Sequence, residues 1–375
     1  MRIAFYAPLK PPDHPVPSGD RRMGRLLIAA LRLAGHEVEV ASRLRSRDGA
    51  GDAGRQQRLA GLGARLAERY LHRSGPKPAL WFTYHLYDKA PDHLGPAVAA
   101  ALGIPYVVAE ASLAPSRAAG AWTAGHDSVT AALRQAALVI GFNDADAHCV
   151  IPALADPGHY RHLRPFLDTA PYTALVGERN ALRTACAAAY GLDPARPWLV
   201  ALAMMRPGAK LSSYRLLAQA LRPLAGRDWQ LLAIGDGAAR AEIAAALAPL
   251  GRQAILAGAV APKAVPALLT AADMMVWPAI DEAYGMALLE AQAAGLPVIA
   301  GRSPGVEGIV GDGITGLLAP QGDAAALTRH IAALLDDPGQ RRALGEAARR
   351  CVVEHHDLPH AAVRLDTLLR QACAR

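Results

Sequence analysis

Short apolar runs alternate with segments of helical periodicity along the whole chain. In the first half, residues 2–7 predict a buried strand, and apolar residues recur at helical spacing over 20–33. Further strands are predicted at 37–41, 79–84, 105–109 and 138–142. Strands that alternate with helices in this way are typical of α/β domains built on parallel sheets.

The pattern loosens over residues 152–180 and then resumes. Strands are predicted at 198–204, 230–234, 254–256, 274–277 and 297–300, with helices at 213–224, 239–247, 263–271 and 285–294. We place the connection between two domains at 165–195. The predicted domains are residues 1–170 and residues 195–355, and a helical pattern closes the chain over 356–375.

Composition supports two globular domains. The chain has 375 residues, of which 52% are hydrophobic and 19% charged, so each half can bury a core. No apolar run approaches the roughly 18 residues that cross a bilayer, and the first residues lack a signal-peptide pattern. The four cysteines are far apart and include no CxxC pair, which argues against a zinc site or a disulfide framework. We therefore expect a cytoplasmic protein.

The formal net charge is +7, and an arginine-rich segment lies at residues 43–73. Two interpretations stay open for this segment: a solvated basic face or loop, or a surface that meets an anionic membrane or an anionic acceptor. Aromatic residues make up only 5% of the chain and do not alternate with the arginines. We therefore expect no nucleic-acid partner.

Residues 278–300 carry the strongest functional signal. Glu290 is the only charged residue between Met286 and Ala294, in a helix that is apolar nearly all round and hence predicted to be buried. A buried carboxylate needs partners, and two vicinal ribose hydroxyls would donate charge-assisted hydrogen bonds to it. The alternative is an exposed glutamate on a narrow solvent stripe. Glu282 is predicted to lie in the loop after the strand, where α/β sheets bind ligands, or to be a helix N-terminal acid.

Glu282 and Glu290, with Ala283-Tyr284-Gly285-Met286 between them and a Leu-Glu-Ala-x-Ala-x-Gly-x-Pro-Val-Ile run around Glu290, resemble the donor-site signature of the retaining glycosyltransferases of family 4. This resemblance implies the GT-B fold, in which two Rossmann-like domains carry parallel sheets that face each other across a cleft. It also implies that the helix at 356–375 crosses back to the first domain.

The resemblance implies a donor site in the second half. Lys210 fits the position of a lysine that binds the donor diphosphate, whereas the arginine of that site is replaced by Met205 with Arg206 beside it. We therefore assign Glu282, Lys210 and Arg206 to the chemistry. Contacts with the donor are assigned to Glu290, Tyr284, Gly285, Met286, Gly235 and, in the first half, Gly19 ahead of the first helix.

The acceptor side departs from the family pattern, because Glu110 stands where a histidine is usual. His85 and Glu110 are our candidates for the reaction centre, since either could orient an attacking hydroxyl, and Asn143 is a candidate for lining the donor site. The expected partners are a nucleotide diphosphate sugar and a hydroxyl acceptor that is a small molecule, a lipid-linked group or a glycan. No metal or other cofactor is expected. A nucleotide-sugar 2-epimerase and a non-catalytic sugar-nucleotide-binding protein are the alternatives.

Overall fold

The structure is a computed structural model that describes residues 1–16, 18–143 and 145–374. The chain divides into two compact units. The first comprises residues 1–164 together with residues 358–375, and the second comprises residues 165–357.

The described part of the first unit contains a parallel sheet of six strands, in the order β2-β1-β3-β4-β5-β6. The central strands are buried on both faces, as expected for a parallel sheet covered by helices. The strands are β1 Arg2–Tyr6, β2 Glu37–Ser42, β3 Leu80–Tyr87, β4 Tyr106–Ser112, β5 Leu138–Gly141 and β6 Tyr160–His162.

Helices follow most strands of the first unit. Helix α1 begins directly after Ser18, whose hydroxyl accepts from the N–H of Arg21 at 3.2 Å and caps the helix. The α-helices are α1 Gly19–Leu33, α2 Ala53–His72, α3 Gly95–Leu102, α4 Thr123–Gln135 and α5 Ala147–Val150.

The described part of the second unit contains another parallel sheet of six strands, in the order β12-β11-β10-β7-β8-β9. Its strands are β7 Trp198–Leu202, β8 Gln230–Ile234, β9 Ala254–Gly258, β10 Met274–Trp277, β11 Val298–Gly301 and β12 Gly316–Ala319. The accompanying α-helices are α6 Ala170–Thr173, α7 Arg179–Tyr190, α8 Ala209–Leu221, α9 Arg240–Leu247, α10 Val265–Ala271, α11 Met286–Ala293, α12 Pro304–Glu307, α13 Ala324–Asp336 and α14 Pro338–His355.

The last helix, α15 Leu358–Cys373, belongs to the first unit and packs on α1. Its Asp366 carboxylate pairs with the His36 imidazole at 3.2 Å. The chain therefore returns to the first unit after the second unit is complete.

Three segments differ from the sequence prediction. The stretch assigned to the connection contains α7, which packs its Cys186 against the core of the second unit. Helix α8 begins at Ala209 rather than at residue 213, so Lys210 lies in the first helical turn. The arginine-rich segment is largely the helix α2. Most of the residues that α2 and α7 bury are small (Gly63, Ala67, Cys186 and Ala187), so the apolar pattern did not reveal the limits of these two helices.

Both sheets have a switch point, where chain order reverses between neighbouring strands. It lies between β1 and β3 in the first unit and between β7 and β10 in the second. Open α/β sheets bind ligands at the carboxyl ends of the strands beside such a point. The predicted class, two Rossmann-like α/β domains with parallel sheets, is confirmed. The placement of the two sheets across a cleft stays a prediction. Among the described residues, no helix is both long and apolar enough to cross a bilayer.

Candidate functional site

The switch point of the second unit brings Lys210 and Glu282 together. Lys210 lies in the first turn of α8, after β7, and Glu282 lies in the loop after β10. The Lys210 ammonium donates to Glu282 Oε2, which also accepts from the Trp277 indole N–H at 3.0 Å. The Lys210 Nζ atom lies 5.4 Å from the centre of the Trp277 ring. The prediction that Glu282 lies in a loop, and not on a helix with Glu290, is therefore confirmed.

The loop that carries Glu282 is held in an uncommon backbone conformation. Ala279 and Asp281 have φ angles of 55° and 48°, which side chains with a Cβ atom rarely adopt. The Ile280 N–H donates to the buried Ser213 hydroxyl of α8 at 3.0 Å, and the Ser303 hydroxyl donates to the Glu282 carbonyl at 3.3 Å. The loop is therefore fixed by two neighbouring elements, and its strain resembles that stored at ligand sites.

The backbone of this loop packs closely against Gly305, where no Cβ atom is present. A Cβ atom on Gly305 would lie 2.1 Å from the Ala283 carbonyl oxygen and 2.6 Å from the Glu282 carbonyl oxygen. At the other end of the loop, Gly285 has a φ of 61° and precedes Met286, the first residue of α11. Tyr284 is half-buried beside it. The structure thus places the predicted donor contacts Tyr284 and Gly285 on the same fixed loop as Glu282, and Met286 at the start of the helix that follows it.

Glu290 is buried, with 5% of its surface exposed, so the alternative of an exposed glutamate is wrong. Its Oε1 atom accepts from the Tyr172 hydroxyl of α6 at 2.8 Å. Sequence reasoning missed Tyr172, which lies 118 residues earlier in a stretch without regular periodicity. The apolar surroundings of Glu290 predicted a partner, and the protein itself supplies at least one. Contact with a ribose stays a prediction.

Arg206 follows β7 and Gly235 follows β8, and neither joins the Lys210–Glu282 pair. The Arg206 side chain is exposed and forms no ion pair with any residue that the structure describes. Gly235 has a packing reason to be glycine, because a Cβ atom there would lie 1.9 Å from the Ala203 carbonyl oxygen. Met205, in the position of the missing arginine, is fully buried. Arg206 is thus an exposed cation in the segment between β7 and α8.

The first unit brings His85 and Glu110 together at its own switch point. The two residues lie at equivalent places in β3 and β4, between the paired residues Tyr84–Ala109 and Leu86–Ala111. Both have left-handed backbone angles, with φ of 62° for His85 and 61° for Glu110. Two adjacent left-handed residues that are not glycine cost on the order of 1 kcal/mol each or more. Strain of this kind marks a candidate functional site.

Asp20 completes this cluster, and sequence reasoning had noted it only as the start of a helix. His85 Nδ1 lies 3.0 Å from Asp20 Oδ1 and 3.5 Å from Glu110 Oε1. Burial lowers the pKa of His85, but the Glu110 and Asp20 carboxylates outweigh it and raise the pKa above the usual 6.5. Burial raises the pKa of Asp20, but contact with His85 outweighs this and lowers the pKa. The charge of His85 is therefore coupled to the two carboxylates.

Gly19 and Asn143 are the remaining predicted residues. A Cβ atom on Gly19 would meet nothing within 4 Å, so packing within the described residues does not require glycine there. The Asn143 side chain accepts from the N–H groups of Ala145 and Asp146 at 2.9 and 3.2 Å. Asn143 thus shapes its own loop, and Asp146 in turn adds to the negative field that raises the pKa of His85.

Comparison with known families concerns the second unit. Residues 210–351 match the family model described as glycosyl transferases group 1. The second unit carries a glycosyl transferases group 1 domain. This domain begins at Lys210 and contains both Glu282 and Glu290, so the motif on which the sequence analysis rested lies inside the match.

Several curated relatives are similar to part of the chain. It is 35% identical to a 2-deoxystreptamine glucosyltransferase of Streptomyces kanamyceticus over 153 residues, 40% of each chain. It is 32% identical to a D-inositol 3-phosphate glycosyltransferase of Salinispora arenicola, over 52% of this chain and 46% of that protein. A GDP-mannose-dependent mannosyltransferase of Mycolicibacterium smegmatis is 30% identical over 56% of this chain and 55% of that protein. The chain spans about half the length of these relatives, or less.

Solved structures resemble the whole chain. The sucrose-phosphate synthase of Thermosynechococcus elongatus has a TM-score of 0.76 and 20% identity, over 100% of this chain and 99% of that one. Anabaena HepE in complex with UDP and glucose has a TM-score of 0.73 and 17% identity, over 99% of both chains. At these identities the likeness shows the fold alone, two α/β units with parallel six-stranded sheets.

Proposed function

We propose that the protein is a retaining glycosyltransferase of family 4 that transfers a sugar from a nucleotide diphosphate donor to a hydroxyl acceptor. The observation that carries this proposal is the Lys210–Glu282 pair at the switch point of a glycosyl transferases group 1 domain. The names of the relatives support it, since several are hexosyltransferases and one depends on a nucleotide sugar.

Lys210 would stabilise the leaving group. A departing nucleoside diphosphate accumulates negative charge, and a fixed cation at the start of a helix is suited to receive it. The N–H groups of Ala209 and Lys210 open α8 and have no backbone acceptor within the described residues. When a diphosphate takes the Lys210 ammonium, Glu282 is released to accept from a hydroxyl of the donor sugar. Arg206, which is exposed shortly before α8, is assigned as a second cation for the diphosphate.

The nucleoside would be held through Glu290. Its carboxylate is buried and already accepts one hydroxyl proton, from Tyr172. Vicinal ribose hydroxyls are donors of the same chemical type, and a carboxylate has about four acceptor sites for them. Gly235, Tyr284, Gly285, Met286 and, from the first unit, Gly19 and Asn143 are assigned to the donor as well.

The acceptor would be oriented by the cluster of Asp20, His85 and Glu110. Because His85 Nδ1 faces two carboxylates, the ring is held in place and Nε2 is left for another partner. We propose that the reaction needs no metal ion, since Lys210, Arg206 and the start of α8 supply the positive charge.

The experiment combines binding with turnover. A thermal-shift screen against UDP-, GDP-, ADP- and dTDP-sugars identifies the donor, since a ligand bound to the native state raises the Tm. Turnover is then measured with 2-deoxystreptamine and inositol 3-phosphate as first acceptors, with and without EDTA. We expect release of the nucleoside diphosphate that depends on an acceptor, survives EDTA and yields a product with the anomeric configuration of the donor, read by NMR.

The same experiment separates the two alternatives. A 2-epimerase would convert the donor with no acceptor present. A non-catalytic binder would show a thermal shift and no turnover with any acceptor. Either result would overturn the proposed transfer, as would inversion of the anomeric centre for the retaining mechanism.

A peripheral contact with an anionic membrane is proposed for α2. Arg55, Arg58, Arg65 and Arg69 are exposed and lie three, seven and four residues apart, so they share one face with the exposed Leu62. A basic face with an apolar residue suits an anionic lipid surface. Sedimentation with phosphatidylglycerol vesicles should exceed that with phosphatidylcholine vesicles, and R58A/R65A should remove the difference. Equal sedimentation of wild type with both lipids would refute this contact.

A further inference from the structure

A pocket lined by several charged side chains lies in the second unit, at the edge of the sheet opposite to the Lys210–Glu282 pair. Its volume is about 390 Å³, and its lining includes Asp273 and Pro297. These two residues directly precede β10 and β11 at the amino ends of the strands. The pocket is therefore separate from the loop after β10 to which we assign the donor.

The pocket is lined by more cations than anions. Arg179, Arg341, Arg342 and Arg349 line it together with the carboxylates of Asp273 and Glu346. The Asp273 carboxylate is already engaged, since it accepts from Arg179 at 2.7 Å, Arg183 at 3.0 Å and the Trp198 N–H at 2.7 Å. Arg341 also lies 3.9 Å from this carboxylate, so little of its negative charge is left for Arg342 and Arg349.

Two of these arginines have no anionic partner. Neither Arg342 nor Arg349 forms an ion pair with any described residue, although Glu346 lies between them on α14. Burial and the guanidinium groups of Arg179, Arg342 and Arg183 lower the pKa of Arg341, against the Asp273 carboxylate, which raises it. The guanidinium groups thus repel one another, and an anion among them would relieve this repulsion.

A buried hydroxyl lines the same pocket. Thr270, in α10, is 8% exposed, and its Oγ1 atom has no hydrogen-bond partner among the residues that the structure describes. An unpaired buried hydroxyl is costly, whereas a ligand oxygen in the pocket would satisfy it. This observation is independent of the charges and also points to an oxygen-rich ligand.

The rest of the lining is apolar. Leu175 and Val176 line the pocket, and Val176 is 54% exposed. The pocket volume of about 390 Å³ is more than ten times the roughly 30 Å³ of one water molecule. The pocket therefore has room for an organic group as well as a phosphate. We propose that this pocket binds a phosphate monoester, with the phosphate on the arginines and the organic part on Leu175 and Val176. Guanidinium forks suit phosphate oxygens because of their bidentate geometry.

The test titrates the full chain with glycerol 3-phosphate, with glycerol as the uncharged control, by calorimetry. Wild type should bind the ester and not glycerol. The R342A/R349A variant should lose at least tenfold in affinity, whereas R350A should bind as wild type does. Arg350 is a matched control, since it lies on the same helix, is exposed and does not line the pocket. All variants should keep the wild-type Tm.

Two further variants test the chemistry within the pocket. Thr270→Val keeps the shape and removes the hydroxyl, so it should weaken binding several-fold. Glu346→Gln removes a negative charge, so it should strengthen binding. Opposite signs for these two variants support the proposal, and unchanged affinity in both refutes the assigned contacts.

Separate arms locate the phosphate and its source. Tyr172 lines this pocket and also holds Glu290, so the titration is repeated with saturating UDP and with K210A. Binding that K210A abolishes and R342A/R349A leaves intact would place the ester at the donor site and overturn the proposal.

Phosphatidic acid vesicles carry the same phosphate monoester group on a lipid. Loss of vesicle binding in R342A/R349A, without binding of the soluble ester, identifies a lipid source. Binding of neither ligand by wild type refutes the site.

Discussion

The two switch points of this chain carry opposite arrangements of charge. In the second unit, Lys210 on α8 forms an ion pair with Glu282, which lies on a loop that neighbouring elements hold in place. In the first unit, two carboxylates, Asp20 and Glu110, converge on the single imidazole of His85. In the first arrangement, the lysine is paired with the carboxylate, and an anionic ligand would compete with that carboxylate for the lysine. In the second, the two carboxylates raise the pKa of the imidazole between them.

This difference indicates different tasks. An ion pair that a ligand can open suits a substrate that brings its own negative charge, as a diphosphate does. An imidazole fixed by two carboxylates on a strained backbone suits the orientation of a neutral hydroxyl. Substitutions at the two sites should therefore have separate effects, on turnover at Lys210 and on the pKa of His85 at Asp20.

Lys210→Ala should lower turnover by about 10²–10³-fold, the usual effect of removing one group that stabilises developing charge. Nucleotide binding should weaken much less, because that charge develops late in the reaction. Lys263 provides the matched control, since it is an exposed lysine of the same unit. Steady-state kinetics with the identified donor measure both variants. A wild-type rate for K210A would remove Lys210 from the site.

Gly305→Ala should distort the loop that carries Glu282. The new Cβ atom would lie 2.1 Å from the Ala283 carbonyl oxygen, and such overpacking costs about 1–3 kcal/mol in the free energy of unfolding. Gly308→Ala is the control, since its Cβ atom would meet nothing within 4 Å. Denaturant unfolding and nucleotide titration compare the two. Equal stability of both variants would show that the loop is not fixed from this side.

Asp20→Asn should lower the pKa of His85 towards its usual range, which NMR titration of the imidazole measures directly. The pKa of His85 is raised in the fold, so its charge contributes stability below about pH 6, and that contribution is lost as pH rises through the raised pKa. D20N should therefore cost about 1 kcal/mol at pH 5.5 and less at pH 9. Asp13→Asn is the control, since Asp13 is exposed and pairs with Arg43 instead. An unchanged pKa in D20N would separate Asp20 from the cluster.

The site that we assign to the donor was predictable because its signal is local in sequence. Glu282 and Glu290 lie eight residues apart, and an apolar helix around a single acid indicates burial without any tertiary information. The partners of these acids are not local. Tyr172 meets Glu290 from 118 residues away, and it lies in a stretch whose prolines and weak periodicity indicated only a connection.

The acceptor side was less predictable for a different reason. His85 and Glu110 were identified from their positions at strand ends, but a left-handed backbone at residues other than glycine leaves no mark in the sequence. Asp20 begins a helix, where an acid is expected in any case. Only the order of β1, β3 and β4 in the sheet brings its carboxylate to His85.

The most direct test concerns the hold of Glu290 on a ribose. Calorimetry compares the nucleoside diphosphate that raises the Tm most with its 2′-deoxy counterpart, in wild type, E290Q and the exposed-glutamate control E242A. Wild type and E242A should bind the ribose form at least tenfold more tightly, whereas E290Q should bind both forms with equal, weaker affinity. If E290Q still distinguished the two forms as wild type does, Glu290 would not hold the ribose.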